Sequence, residues 1–186
     1  MMVSTAGKTL YSHLAGLLEY PREDIKLKAA ECIKAFSAAG SKYPPEVLKE
    51  LGSFQKDLEN ISIDDLQGVY SYTFELTSDF TLDLGYHIFD GFKRANSLAS
   101  IKAMYREQTF PYEEYAKGEL PDNLPVVLNF LGFTENEDLR KNFRETFVIL
   151  AVEKLNKNFE KNKKNIYSHL ISAIYRVLDN DVKEVK

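Results

Sequence analysis

The chain has 186 residues, of which 44% are hydrophobic and 28% charged, with a formal net charge of −4. That length and balance suit one globular domain with its own core and exclude wholesale disorder. The mildly acidic charge excludes a general attraction to nucleic acid or anionic membrane, and no apolar run is long enough to cross a bilayer.

The lone cysteine, Cys32, cannot form an internal disulfide, and its apolar helical setting reads as a small core residue rather than a reactive thiol. Met1 to Leu18 do not make a signal peptide, because Ser12, His13 and Gly16 interrupt any apolar core. A cytoplasmic protein is expected.

Nearly every segment carries helical spacing. Leu10, Leu14, Leu17 and Leu18 form a first apolar stripe that ends at Tyr20-Pro21. Ile25, Ala29, Cys32, Ile33 and Phe36 form a second, stopped by Gly40. Pro44-Pro45 open a third helix with Val47, Leu51, Phe54 and Leu58. Ser62 and Asp65 resemble a capping box ahead of Leu66, Val69, Tyr70, Thr73 and Phe74. Thr77 to Thr81 read as a connector, Leu84 to Phe89 as a short helix, and Phe92 to Tyr105 as a longer one. Phe110 to Gly118 read as a polar, aromatic loop. Thr134 with Glu137 predicts a second capping box and a long helix through Leu155, and Ile166, Leu170, Ile174 and Leu178 mark the last helix. The expected fold is all-α: a single-domain helical bundle of about eight to nine helices over residues 1–186, with a charged tail from about residue 179.

The stretch Glu119-Leu120-Pro121-Asp122-Asn123-Leu124-Pro125 stands apart. Each proline fixes its own φ and pushes the residue before it toward extended geometry. Asp122 is therefore expected to cap a helix with Pro125 in its first turn. Leu124, Val127, Leu128 and Leu131 give that helix one apolar face, and Gly132 closes it.

Chemistry is sparse. His13, His87 and His169 are widely separated and lack a second ligand at i+3 or i+4. No phosphate-binding glycine loop, dinucleotide fingerprint or nucleophile elbow occurs. Asp64-Asp65 sit at a helix start, where capping explains them. No metal and no cofactor is expected.

Charge and rings are the stronger signal. From Asp57 to Phe92 there is no Lys or Arg, while Asp57, Glu59, Glu75, Asp79, Asp83 and Asp90 lie there. Lys154 to Lys164 reverse the sign, so one reading is two solvated faces packed near each other. The other is that the acidic segment receives a basic peptide. Tyr70, Tyr72, Phe74, Phe80 and Tyr86 crowd the same segment. At helical spacing such rings are core by default, but Tyr72 and Phe80 fall off the stripes and suit a groove lining. Guanidinium groups pair with carboxylates and stack on rings, so such a groove fits a peptide with arginines beside an apolar run.

Three stretches carry a family resemblance: Leu17-Leu18-Glu19-Tyr20-Pro21; Tyr70-Ser71-Tyr72-Thr73-Phe74-Glu75-Leu76 with Leu84-Gly85-Tyr86-His87; and the proline-flanked corner with Leu128-Asn129-Phe130-Leu131. In that order and spacing the chain resembles the delta subunit of respiratory nitrate reductase, the NarJ-type assembly chaperones, which belong with the TorD/DmsD-like redox-enzyme maturation proteins. The resemblance implies an all-helical chaperone that is not itself an enzyme. It implies binding of the N-terminal, often twin-arginine, leader of a molybdopterin oxidoreductase subunit. The apo subunit is then held in the cytoplasm until its molybdenum cofactor and iron–sulfur clusters are in place. It further implies no nucleic-acid partner and no stable membrane insertion.

Carried over residue by residue, the groove would be bordered by Tyr70, Phe74, Glu75, Tyr86, Pro121, Asp122 and Pro125. Asp79 and Asp83 join Glu75 and Asp122 as candidates for selecting the leader's basic residues. Asn123 stands where the family commonly has histidine or tyrosine, Glu75 where aspartate is common, and Phe89 to Arg94 rearrange the family's Gly-Asp-x-Arg turn. Two competitors remain: a helical adaptor or dimerisation module that docks a folded partner, and a small-molecule enzyme on a helical scaffold.

Overall fold

The periodicity is realised almost throughout the computed structural model, which describes residues 9–184 and contains no strand among them. Residues 1–8, within the span weighed as a signal peptide, and residues 185–186 of the tail lie outside the described residues. Helix α1 (Leu10–Leu17) is capped by Thr9, whose hydroxyl accepts from the Ser12 amide. Helices α2 (Ile25–Ala38) and α3 (Pro45–Glu59) come next, separated by Gly40 at φ 63°. Helix α4 (Ile63–Tyr70) starts at the expected box: Ser62 Oγ accepts from the Asp65 amide and donates to its carboxylate. It ends in a π-helical turn, Ser71–Glu75, that sends Thr73 and Phe74 inward and leaves Glu75 and Leu76 exposed.

Helix α5 (Gly91–Glu107) comes after two short 3-10 turns, Ser78–Phe80 and Leu84–His87. The expected loop from Phe110 to Gly118 contains a helix, α6 (Tyr112–Ala116), ended by Lys117 at φ 51° and Gly118 at φ 97°. Its single turn is too short to show an apolar stripe. Helix α7 (Leu124–Phe133) runs past Gly132 and has no single apolar face, being buried nearly all round from Leu124 to Leu131. Helix α8 (Glu137–Phe143) is capped by Asn136 rather than Thr134. Buried Thr134 instead accepts from the Asn136 amide and donates to Gln108, fixing the connector to the end of α5. Through a π-helical turn, Arg144–Val148, α8 continues into α9 (Ile149–Glu160), and α10 (Tyr167–Glu184) closes the chain. Counting α8 and α9 as one rod gives nine helices among the described residues.

The core is one cluster running from Leu14 to Leu178. In it α1 packs on α7, α3 on α10, α9 on α10, and α2 joins α1 to α3. The supposed charged tail is part of this body, because α10 extends to Glu184 and Asp181 is buried. Asp181 accepts from Tyr11 and Tyr43, while its carbonyl takes Arg144 Nη2 at 3.1 Å. A charged sequence there reads as solvent-facing until its partners on α1 and α8–α9 are known. Cys32 is fully buried, and burial pushes its thiol up to about 12.

Candidate functional site

The corner at Pro121–Pro125 is built by backbone pairing with the 82–85 segment. Leu84 N–H donates to the Asp122 carbonyl at 3.0 Å, and Leu124 N–H donates to the Leu82 carbonyl at 2.8 Å. An antiparallel bridge thus joins Asp83 and Asn123. Pro125 supplies no amide in the first turn of α7 and Leu82 satisfies Leu124, so two donors that a cap would serve are already accounted for. Asp122 is accordingly not the cap: Asn123 holds that position. One Asp122 oxygen accepts from the Gly85 amide at 2.8 Å; the other is buried without a partner. Burial raises the pKa of Asp122, and nearby Asp83 adds to this; the Gly85 hydrogen bond and Arg94 pull it down. A Cβ on Gly85 would stand 2.7 Å from the same Asp122 oxygen, so only glycine permits this approach. Tyr105, itself buried, donates to the Pro121 carbonyl at 2.7 Å and braces the other side.

Beside this sealed corner lies an open cleft of about 450 Å³. Leu18, Pro125 and Val126 give it apolar wall, and Tyr20, Tyr70 and Tyr115 give it rings. Tyr70 donates to the Leu18 carbonyl at 3.0 Å and meets Tyr20 edge-on at 5.5 Å. Gln67 donates to the Pro21 carbonyl at 2.9 Å. The Leu-Leu-Glu-Tyr-Pro stretch is therefore fastened to α4, which brings the first two motif stretches to one wall. The cleft holds three carboxylates, Glu19, Glu75 and Glu119, against two cations, Arg22 and Lys117. Glu119 has its pKa raised by burial and by the negative charge of Asp83 and Glu75, and Tyr70 is raised by burial and by Glu119, Glu75 and Glu19.

Of the ten residues singled out from the sequence, the cleft gathers Tyr70, Glu75, Asn123 and Pro125. The other six are placed elsewhere. Phe74 is buried between Tyr70, Phe159 and Tyr167. Pro121 and Asp122 are buried in the corner. Asp83 is held by Arg94 at 3.5 Å and accepts from Asn123 at 3.3 Å. Tyr86 is exposed and lies 5.8 Å from the Arg94 guanidinium. Asp79 is exposed, its carbonyl taken by Asn158 at 2.8 Å. That bond, with Phe80 on Phe159 at 4.6 Å, packs the acidic segment against the basic end of α9. Phe80 is thus a packing residue, whereas Tyr72 is 67% exposed.

Missed by the sequence reading were Glu19, Tyr20, Tyr115 and Glu119. Three of them stand inside the quoted motif stretches, where periodicity could not say which side chains point outward. Among the described residues no group of His, Cys, Asp or Glu could hold a metal ion, and no helix is long and apolar enough to cross a membrane.

No family model matches the chain. It is 26% identical over 181 residues to the probable nitrate reductase molybdenum cofactor assembly chaperone NarJ of Bacillus subtilis (strain 168), covering 96% of this chain and 93% of that protein. It is 28% identical over 137 residues to the nitrate reductase molybdenum cofactor assembly chaperone NarJ of Escherichia coli (strain K12), covering 73% of this chain and 56% of that one. The matched chain spans little more than half of the Escherichia coli protein and nearly all of the Bacillus one. The chain is thus similar along almost its whole length to a NarJ-type assembly chaperone, and its described residues form the all-α structure expected from that resemblance.

Proposed function

We propose that the chain is a chaperone of molybdoenzyme maturation, not an enzyme, and that it acts in the cytoplasm. In this reading the cleft beside the corner captures the basic, apolar N-terminal leader of an oxidoreductase subunit. The relatives' names supply the client class. The observation that carries the rest is the joining of three tyrosine rings and three carboxylates at one opening. Apolar wall and rings supply affinity to the leader's hydrophobic run. Glu19, Glu75 and Glu119 select its arginines, because guanidinium pairs with carboxylate and stacks on tyrosine at once. Asp122 makes no contact with the leader; it holds the Leu84–Gly85 turn against the corner. A rim of exposed charges lets the leader leave again when the subunit is complete.

Titration of the full chain with a twin-arginine leader peptide by calorimetry tests the reading. Saturable binding, weakened several-fold when the arginines become glutamine, is expected. Equal binding of the glutamine peptide removes charge selection, and no binding of either peptide removes the leader reading. The adaptor reading draws on the exposed side chains of Tyr72, Leu76 and Phe92, which are 67%, 77% and 90% accessible. A stable dimer that leader peptide leaves intact in size-exclusion runs would favour it.

A further inference from the structure

A second opening of about 470 Å³ adjoins the cleft, walled by Gly16 of α1 and by Gly132 and Phe133 of α7. The same three side chains, Glu19, Tyr115 and Lys117, border both openings. Between them runs one ion pair, Lys117 Nζ to Glu19 Oε1 at 3.1 Å, with 66% of the lysine and 37% of the glutamate side chain exposed. Lys117 is set there by its left-handed φ of 51° at the end of α6. So exposed a pair is weak and readily exchanged. The other Glu19 oxygen lies 3.9 Å from Lys28, which is itself 3.2 Å from Asp24.

We propose that Lys117 is a placeholder cation. An arginine of the leader takes its place on Glu19, the Lys117–Glu19 strap opens, and the two openings become one trough that seats the apolar run behind the arginine. The proposal rests on the leader-binding reading and adds its specificity device. Arginine outcompetes lysine here for a physical reason. Its planar fork can take both oxygens of Glu19 and stack on Tyr115, whereas the ammonium is a point charge that is well hydrated once released. The second opening has room for that run along its Gly16–Phe133 wall, since a Cβ on Gly16 meets nothing within 4 Å and Phe133 is 40% exposed beside it, while His13, Lys28, Glu31 and Glu114 form a polar and charged border elsewhere.

The test uses the full chain and two synthetic peptides: an arginine pair with a long apolar run behind it, and the same peptide cut shortly after the arginines. Lys117→Gln is expected to tighten the long peptide by about threefold to tenfold, because the nearer of the two internal cations on Glu19 is removed and only Lys28, at 3.9 Å, still competes. Gly16→Leu, which fills the second opening, is expected to weaken the long peptide by a similar factor and leave the short one unchanged. Melting curves control for folding, and Gly16→Met repeats the test if leucine is not accommodated. If wild type binds the long peptide and Lys117→Gln binds it equally or more weakly, the placeholder is overturned while the leader reading stands. If Gly16→Leu leaves the long peptide untouched, the trough is overturned in the same way. If wild type binds neither peptide, the leader reading itself fails. Light scattering that shows the peptide dissociating a dimer would assign the trough to a second copy of the chain and overturn the proposal.

Discussion

Asp122 and Glu119 belong to one proline-flanked stretch, three positions apart, and the fold gives them opposite surroundings. Asp122 is 1% exposed, spends one oxygen on the Gly85 amide and anchors the 82–85 segment. Glu119 is exposed, borders the cleft and shares its field with Glu75 and Asp83. A carboxylate's role in this chain depends on which neighbours remove its water. The sealed corner is a question of stability and, under the proposed leader binding, the open rim one of recognition, so variants of the two should part cleanly.

The largest effect is expected at Gly85. Its Cβ would fall 2.7 Å from an Asp122 oxygen, and Asp122 is buried and held by its hydrogen bond to the Gly85 amide. Gly85→Ala combines overpacking with a disturbed buried hydrogen bond and should cost roughly 2–5 kcal/mol in urea denaturation. Asp122→Ala leaves the Gly85 amide without its acceptor and should cost about 1–3 kcal/mol. Asp122→Asn keeps an acceptor and should stay within about 1 kcal/mol of wild type at neutral pH. If Gly85→Ala proved neutral, the corner would not be the rigid half of the pair.

pH sharpens the same contrast. The pKa of Asp122 is raised in the folded chain, chiefly by burial. As pH climbs past the unfolded aspartate value of about 4, the unfolded chain sheds its proton while the folded one keeps it. Asp122's contribution is therefore fully present below that value and is lost as pH rises through the folded value. Urea midpoints of wild type relative to Asp122→Asn should fall with rising pH across that window. A relative rise would mean that the carboxylate is stabilised as an anion.

These two carboxylates also show how far the sequence could be read. Helix count, the Ser62–Asp65 box and the two prolines of the corner were legible, because each is a local signal with a local cause. Asp122 was expected at the cap since no local rule announces that residues 82–85, some forty positions earlier, will pair with the corner. For Phe74 the helical spacing, which marks it as core, agrees with its enclosure by Tyr167 and Phe159, whereas the family resemblance carries it to the groove border. Glu119 and Glu19 could be seen as letters in motifs, but their convergence needs the turn at Lys117–Gly118 and the docking of Leu18 on Tyr70.

On the rim the expected effects are smaller and of another kind. Glu75→Gln and Glu119→Gln should each weaken a twin-arginine peptide by roughly two- to fivefold in calorimetry, the range of an exposed ion pair. Added salt should narrow the difference from wild type, and melting temperature should hardly move. A Glu119→Gln chain that melts many degrees lower would place Glu119 with Asp122 in the structural half.

The smallest effect is expected at Asp79, and it discriminates best between local and general acidity. Asp79 carries the same charge as Glu75 only four positions later, yet the cleft does not include it and its backbone is tied to Asn158 near the basic end of α9. If the leader is recognised by paired contact at the cleft, Asp79→Asn should change its affinity by less than about twofold at physiological salt, where charges farther than a Debye length are screened. If the whole acidic segment from Asp57 to Asp90 acts as a diffuse attractant, Asp79→Asn and Glu75→Gln should weaken binding equally, mainly by slowing association. Stopped-flow rates on the two variants separate these cases, because loss of a paired contact shows in the dissociation rate and loss of steering in the association rate.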